Sequence, residues 1–281
     1  MLSLALAAAA PGLVALAAAL RGRAGLLLFV PCLSLPAFVD PPLLRVPLAL
    51  FLALALMRVI DLTRDARLAA APLRRRLWHA FSAVDSRLLR PAPRRLDGRR
   101  ALRFLVWSAL SAAGLWLALQ GGASRWAGGV VLTYAFVESL WALLAVLYVL
   151  AGFHTPPLHE LPLLSSSIQE LWGVRWAQVI RQWMQMNVVR VWARRRSLRV
   201  GLLLAFAVSG LGHAYLVLVT SGPALALSML AFFVLQGFAV LVEERLHVRG
   251  WPRPLRHAWV LSVMLSTSPL FVGATLACLG L

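Results

Sequence analysis

Residues 198–220 read LRVGLLLAFAVSGLGHAYLVLVT, an apolar run long enough to cross a lipid bilayer as a single helix. One ionisable side chain, His213, lies well inside this run. A polar group at membrane depth costs free energy and usually faces a packed protein interior or a water-filled cavity. We therefore expect the other helices to build such an interior around His213.

The composition of the whole chain is that of a membrane protein. Of its 281 residues, 61% are hydrophobic and 14% are charged, and the mean hydropathy is +0.80. These values exclude an ordinary soluble domain. At ~20 apolar residues per crossing, the length allows about eight spans with short loops. We predict an all-α, multi-pass transmembrane protein in which residues 1–281 form a single membrane domain.

Eight apolar segments can be delimited along the chain. They cover residues 2–20, 24–39, 43–60, 104–119, 128–152, 198–220, 222–242 and 258–280. For the first segment a signal peptide is the competing interpretation, but no positively charged residues precede the apolar run. We expect all eight segments to be retained as spans.

The distribution of arginine sets the predicted orientation. All 28 basic residues are arginines, and the formal net charge is +18. If the N-terminus lies outside, the outer side holds Arg45 and Arg125, and 2, 13, 7 and 4 arginines fall in the inner loops 21–23, 58–103, 154–199 and 243–257. This asymmetry follows the positive-inside rule with both termini outside, so the charge requires no nucleic-acid partner. The absence of lysine indicates a GC-rich coding bias, which favours a bacterial source.

The inner loop 58–103 combines its arginines with Trp78, His79 and Phe81. We expect an interfacial helix whose aromatic side chains enter the headgroup region while the arginines meet anionic membrane lipid. His79 is expected at a wet surface. Some of these arginines are candidates to bind the phosphates of an acyl-CoA, because guanidinium matches phosphate bidentately. The sequence does not distinguish which ones.

A few other residues carry chemistry. Glu138 lies inside the fifth span, where it is either a functional residue or a hydrogen-bonding contact between helices. Cys32 and Cys278 lie in apolar runs without metal or redox spacing. The chain lacks GxxxxGK, HExxH, CxxC and GxSxG, so phosphate-loop, zincin, dithiol and α/β-hydrolase functions have no support. We predict no metal and no cofactor.

The segment 154–197 is too polar to be a span and too apolar to be an ordinary loop. Ser166 or Ser167 can cap a helix here. Its polar face would prevent that helix from crossing lipid alone, so it lies in the interface on the cytoplasmic side or lines a cavity. Apolar side chains recur at three- and four-residue intervals and predict one amphipathic helix: Ile168, Leu171, Trp172, Trp176, Val179, Ile180 and Trp183.

Two motifs in this half of the chain resemble those of wax-synthase-type enzymes in the membrane-bound O-acyltransferase superfamily. Residues 206–213, FAVSGLGH, are similar to the apolar Ser-Gly-x-x-His stretch that holds the family's proposed catalytic histidine. The resemblance covers about residues 150–250, the predicted acyltransferase core. The first motif lies in LPLLSSSIQELWGVRWAQVIRQ, residues 161–182, and its matching residues are Ser167, Glu170, Leu171, Trp172, Gly173, Val174, Arg175 and Trp176.

The chain also departs from the family pattern. Leu171 replaces the usual Phe, and Val174 replaces the first Arg. Ala177 stands where the family commonly has His or Asn. If that polar side chain assists catalysis in the family, either Asn187 takes its place or activity is reduced. An amide near a helix end more often has a structural role.

The resemblance implies a chamber-forming fold that transfers an acyl group from acyl-CoA to a lipophilic alcohol. His213 would be the general base, a role that typically contributes about 10²–10⁴-fold to the rate. Burial disfavours the imidazolium and keeps His213 competent as a base. The residues expected to bind substrate are Glu170, Trp172, Arg175, Trp176, Asn187 and Ser209.

Several alternatives remain open at this point. His213 can instead join two helices by a hydrogen bond, and the chain can be a lipid-binding or transport protein with an acyltransferase-like shell. A sterol, a glycan or a secondary metabolite can replace the long-chain alcohol as acceptor. We expect the cytoplasmic membrane in a bacterium or the endoplasmic reticulum membrane in a eukaryote.

The depth of His213 supplies a geometric condition. The residue lies about 14 positions, or ~21 Å, beyond the predicted cytoplasmic start of its helix. A cavity must therefore reach His213 from the arginine-rich side if the enzyme interpretation is correct.

Overall fold

The computed structural model describes residues 2–20, 22–40 and 42–281, and almost all of that length is helical. Seven α-helices make up the first half of the chain, and a 3₁₀-helix, Val30–Phe38, continues α2. The α-helices are α1 Leu2–Ala19, α2 Gly22–Phe29, α3 Pro42–Arg64, α4 Ala66–Ala69, α5 Leu73–Phe81, α6 Gly98–Leu119 and α7 Gly122–Leu150.

The second half begins with irregular structure and ends with three long helices. β1 (Arg90–Pro91) precedes α6 in the sequence and β2 (Phe153–His154) follows α7, and the two pair as a short antiparallel ladder. Short 3₁₀ turns cover Pro162–Leu164 and Val248–Gly250, and π-helical turns cover Leu171–Arg175 and Gln185–Val189. The remaining helices are α8 Ile168–Glu170, α9 Gln178–Met184, α10 Arg190–Arg195, α11 Leu198–Ser221, α12 Pro223–Arg245 and α13 Arg253–Cys278.

The prediction of an all-α, multi-pass membrane protein is confirmed. Within the described residues, six helical stretches are long and apolar enough to cross a membrane: Leu44–Arg64, Gly98–Leu119, Gly122–Leu150, Leu198–Ser221, Pro223–Arg245 and Arg253–Cys278. The first two predicted spans correspond to shorter apolar helices, Ala7–Ala19 and Gly22–Phe38. The second of these contains Pro31 and Pro36 and winds as a 3₁₀-helix over Val30–Phe38.

Small residues allow the long helices to approach one another closely. A Cβ atom on Gly128 would overlap the backbone nitrogen of Ala118, so α6 and α7 are in direct backbone contact there. On α11, a Cβ atom on Gly210 would lie 2.9 Å from the Leu230 side chain and 3.0 Å from Phe233 Cβ. Such contacts are the usual way in which membrane helices pack. They bring Phe233 of α12 against the part of α11 that carries His213.

The loops predicted to lie inside contact one another at one end of the helices. Arg64 donates to the carbonyl oxygen of Asn187 at 2.8 Å, and Arg76 donates to that of Ala18 at 2.9 Å. At the opposite end, Arg45 donates to the carbonyl oxygen of Val219 at 3.3 Å. These contacts place the loops 58–103 and 154–199 on a common side with the C-terminal end of α1. The orientation of that side in a membrane stays a prediction.

The loop 58–103 contains a buried ion cluster rather than a wet surface around His79. The expectation for His79 was wrong, because its ring is fully buried and Nδ1 lies 2.8 Å from Ser86 Oγ. Trp78 and Phe81, on the same helix α5, are exposed as expected for an interfacial helix. Arg87 donates to Asp85 at 2.7 Å. Burial raises the pKa of Asp85, but hydrogen bonds from Arg87 outweigh burial and hold this pKa below its usual range.

The predicted amphipathic helix over residues 168–183 is broken in the middle. Trp176 is extended, and Ala177 is left-handed with φ 41°. The break exposes backbone groups that must find partners, and the segment before α8 supplies them. Glu160 N donates to Arg175 O at 2.8 Å, and Gln178 N donates to Leu158 O at 2.9 Å. The prediction of one continuous helix was therefore wrong. The apolar side chains keep their interval of three and four residues across the break, so their spacing does not reveal it.

Candidate functional site

A cavity of about 970 Å³, here called the chamber, lies among the long helices. Side chains from α3, α7, α11, α12 and α13 line it, together with the segment 158–185. Most of these side chains are apolar. The volume is at the upper end of the ~300–1,000 Å³ usual for ligand cavities. The chamber is therefore large enough for an extended lipophilic ligand.

The chamber meets the geometric condition set by the depth of His213. Arg181 and Gln185, from the arginine-rich side, line the same cavity as His213. Leu33 and Tyr215 also line it, and the Tyr215 hydroxyl donates to Leu33 O at 2.9 Å. One continuous space thus connects the side of the predicted inner loops with the histidine.

His213 lines the chamber from α11 with a defined orientation. Its Nδ1 atom lies 2.8 Å from the carbonyl oxygen of Ser209, one turn earlier. A carbonyl oxygen only accepts, so we assign the proton to Nδ1 and a free lone pair to Nε2. The imidazole packs on the ring of Phe233, with centroids 4.4 Å apart. His213 therefore lines the chamber in a fixed orientation, and its role as a base stays a prediction.

The tryptophans of the first motif and Ser209 of the second also line the chamber. Trp172 donates from its indole nitrogen to Gln236 Oε1 at 3.2 Å, and fully buried Gln236 donates in turn to Thr267 at 2.8 Å. Trp176 packs against Trp172, with ring centroids 5.5 Å apart. Both indoles line a cavity, which is one of the two locations predicted for them.

Glu170 and Arg175 are absent from the chamber lining and bind each other. Arg175 Nε donates to Glu170 Oε1 at 2.7 Å, and Nη1 donates to the Glu160 carbonyl at 3.0 Å. Burial alone would raise the pKa of Glu170. Hydrogen bonds from the Ser166 backbone and from Arg175 have a larger, opposite effect and lower this pKa to about 2. Ser167 caps α8 by accepting from Glu170 N at 2.8 Å. Substrate binding by Glu170 and Arg175 stays untested, but these contacts lie within the protein and favour a structural role for both residues.

Asn187 is also outside the chamber lining. Its amide donates to Asp61 at 3.1 Å, at the edge of a separate polar cleft of about 580 Å³. Ala177, in contrast, lines the chamber. The geometry therefore gives no support to a replacement of the polar side chain at position 177 by Asn187.

The sequence did not single out His159, which lines the chamber next to Trp176. Its Nδ1 atom lies 2.7 Å from Glu138 Oε1, and Arg103 donates to Glu138 Oε2 at 2.7 Å. The ring of His159 lies 4.3 Å from that of Trp176, centroid to centroid. Glu138 was the available signal, because an intramembrane carboxylate needs a partner and the chain has 6 histidines to supply one.

The contact with Glu138 also shows how far the segment after α7 enters the protein. Glu138 lies twelve residues before Leu150, the last residue of α7. That distance is about 18 Å at 1.5 Å per residue. The chain leaves α7, turns back, and is held by a hydrogen bond of 3.1 Å from Trp141 to the Pro156 carbonyl. The segment that carries His159 is therefore re-entrant.

Comparison with known proteins finds a family match in this part of the chain. Residues 155–235 match the model of the membrane bound O-acyl transferase family. A relative from Arabidopsis thaliana, named "Probable long-chain-alcohol O-fatty-acyltransferase 1", is 31% identical over an alignment of 124 residues that covers 41% of this chain and 36% of the relative. The match thus spans little more than a third of the relative's length. Both findings confirm the resemblance to the wax-synthase-like branch of the superfamily.

Proposed function

We propose, from the match of residues 155–235 to the model of the membrane bound O-acyl transferase family, that this protein is a membrane O-acyltransferase. It moves a fatty acyl group from acyl-CoA to the hydroxyl of a lipophilic alcohol. One observation carries the proposal: a single apolar chamber is lined by Trp172 and Trp176 of one motif and by Ser209 and His213 of the other.

The chemistry follows from the orientation of His213. Its Nε2 lone pair takes the proton of the alcohol as the alcohol oxygen attacks the thioester carbonyl. The tetrahedral intermediate then collapses, the carbon–sulfur bond breaks, and the leaving thiolate takes the proton from His213. The Ser209 carbonyl keeps the proton on Nδ1 and so keeps Nε2 available. General base catalysis of this kind contributes about 10²–10⁴-fold.

The apolar lining serves both binding and selectivity for transfer over hydrolysis. Burying each methylene of an acyl chain or a long-chain alcohol contributes about 0.8 kcal/mol. A chamber that holds little water also protects the thioester from hydrolysis before the alcohol attacks. The name of the Arabidopsis relative, a long-chain-alcohol O-fatty-acyltransferase, supports a long-chain alcohol as acceptor.

Arg181 is the residue that we assign to the charged end of the donor. It is the arginine among the chamber-lining residues, and its Nη1 atom donates to the Gly173 carbonyl at 3.0 Å. Among the described residues no carboxylate lies within salt-bridge distance of Arg181, and its Nε is buried without a hydrogen-bond partner. A phosphate of acyl-CoA is the kind of anion that such a guanidinium binds.

The test is transfer of a radiolabelled acyl group by the purified protein in lipid nanodiscs. We expect an ester product from acyl-CoA and a long-chain alcohol, with sterols and glycans as comparison acceptors. Saturable binding of both lipids without any ester would instead establish a binding or transport protein. Fractionation of the source cells then assigns the membrane, which we propose is the cytoplasmic membrane in a bacterium or the endoplasmic reticulum in a eukaryote.

A further inference from the structure

We propose that His159, held by Glu138, is a second catalytic residue of the chamber and donates a hydrogen bond to the thioester carbonyl oxygen as negative charge develops there. The inference rests on the proposed acyl transfer and assigns a role to a buried group that His213 chemistry does not use. It gives a chain with Ala177 a second polar side chain in the chamber.

The contacts of Glu138 show that this is a built site. The Glu138 and His159 side chains are each only 1% exposed, and the two groups are joined by a contact of 2.7 Å. Arg103 reaches the other carboxylate oxygen at the same distance, from a side chain that is 46% exposed. Burying a carboxylate costs several kcal/mol unless it is paired and hydrogen-bonded. The carboxylate accepts from Nδ1, so the proton on that nitrogen is assigned by the geometry.

Backbone hydrogen bonds on both sides of His159 fix its position in the chamber wall. Hydrogen bonds from Glu160 N to Arg175 O and from Gln178 N to Leu158 O bracket it on both sides. His159 therefore lies opposite the break in the helix, packed on Trp176 and facing the same cavity as Ala177. Position 177 is where the enzymes that the chain resembles carry His or Asn. In this chain Ala177 is apolar, and a polar side chain lines the same cavity from a different segment.

The two histidines of the chamber have different groups behind them. A backbone carbonyl holds Nδ1 of His213, whereas the carboxylate of Glu138 holds Nδ1 of His159. A carboxylate stabilises a positive imidazolium more than a neutral carbonyl does. His159 is thus suited to carry a proton on Nε2 and donate it as a hydrogen bond, while His213 keeps a free lone pair and acts as the base.

The reaction stays balanced with both histidines in place. His213 takes the alcohol proton and returns it to the leaving thiolate. His159 transfers no proton and stabilises the oxyanion while the tetrahedral intermediate exists. The ionisable and charged groups that face His159 are Glu138, Arg103 through Glu138, and Tyr134, whose ring centroid lies 5.5 Å away.

The experiment compares His159→Ala and His159→Gln with the unmodified protein in nanodiscs, using a radiolabelled acyl-CoA and a long-chain alcohol. Loss of an oxyanion donor typically lowers kcat about 10²–10³-fold, and we expect that loss in His159→Ala with little change in KM. Gln can donate from a similar position, so His159→Gln should recover roughly a tenth of the activity. Glu138→Gln should also lower kcat, because a neutral amide does not stabilise an imidazolium.

Rescue by a conservative variant separates a catalytic role from a structural one. His159→Gln keeps a hydrogen-bond donor at this position, so it should retain the KM of the unmodified protein and exceed the kcat of His159→Ala. His154→Gln is the matched control, because His154 lies five residues earlier, contacts Arg100 at 2.8 Å and is absent from the chamber lining. Its kcat and KM should be unchanged.

Two results would overturn the inference. Equal kcat in His159→Ala and the unmodified protein would leave acyl transfer intact and remove His159 from it. An unchanged kcat in Glu138→Gln would also exclude His159 as the oxyanion donor, even if His159→Ala folds poorly. Failure of the unmodified protein to form any ester is a different outcome, since it would remove the proposed function itself.

Discussion

Arg175 donates from Nε to Glu170 Oε1 at 2.7 Å, and this ion pair closes the π-helical turn that precedes the break at Ala177. Further bonds from Arg175 to the carbonyl oxygens of Glu160 and Leu161 fasten the re-entrant segment to the same turn. The pair therefore supports the wall of the chamber from outside. The turn that it closes carries Trp172 of the first motif, which lines the chamber together with His213 of the second.

We expect Arg175→Ala to lower the free energy of unfolding by about 1–2 kcal/mol, since a partly exposed ion pair and its hydrogen bonds contribute at that scale. The KM for acyl-CoA should be unchanged in the folded fraction. Thermal unfolding in detergent and steady-state kinetics provide the two measurements. A large increase in KM with normal stability would show instead that Arg175 binds substrate.

Arg181→Gln is expected to give the opposite pattern. Its guanidinium lines the chamber, and a lost hydrogen bond to a charged ligand costs about 1.5–3 kcal/mol. The KM for acyl-CoA should rise about tenfold or more, with stability close to that of the unmodified protein. Arg190→Gln, at an exposed position, is the control. Equal KM values in the two variants would exclude Arg181 from donor binding.

Ala177 provides a test of the break itself. Its φ of 41° is a conformation that costs about 1–2 kcal/mol for a residue with a Cβ atom. Ala177→Gly should therefore raise the melting temperature slightly, and Ala177→Val should lower it by several degrees because a β-branched residue fits that conformation least well. If valine is tolerated as well as glycine, the left-handed turn at 177 is absent in solution.

Acid should destabilise the protein partly through Glu170. Its pKa in the folded protein is about 2, against an ordinary value of 4.5. The stabilisation from its charge is therefore complete above about pH 4.5 and is lost as pH falls from there toward 2. Denaturation midpoints at several pH values between 6 and 3 should decrease more steeply for the unmodified protein than for Glu170→Gln. Parallel curves would contradict this assignment.

The extent to which the sequence predicts this structure differs between the spans and the site. Hydrophobic length alone predicted the long helices, because burial of a span in lipid is a local property, and α11 begins at the predicted residue, Leu198. The break at Ala177 could not be predicted in that way. It depends on backbone hydrogen bonds to Leu158 and Glu160, which are close only in the folded chain.

The same distinction applies within the site. His213 was identifiable because an imidazole in an apolar run is unusual, and Trp172 and Trp176 because they repeat at helical spacing. His159 lies in an irregular, proline-rich segment, and its partner Glu138 is 21 residues away in the chain. Only the re-entrant path after α7 brings the two together. The burial of His79 depends similarly on Asp85 and Ser86, which follow the end of its own helix.

The most direct measurement of the central claim is ester formation by His213→Ala beside the unmodified protein. Both are purified in lipid nanodiscs and supplied with radiolabelled acyl-CoA and a long-chain alcohol. We expect the unmodified protein to form the ester and His213→Ala to form none above background, with equal expression, membrane insertion and acyl-CoA binding. Full turnover by His213→Ala would contradict the assignment of His213 as the base of a membrane O-acyltransferase.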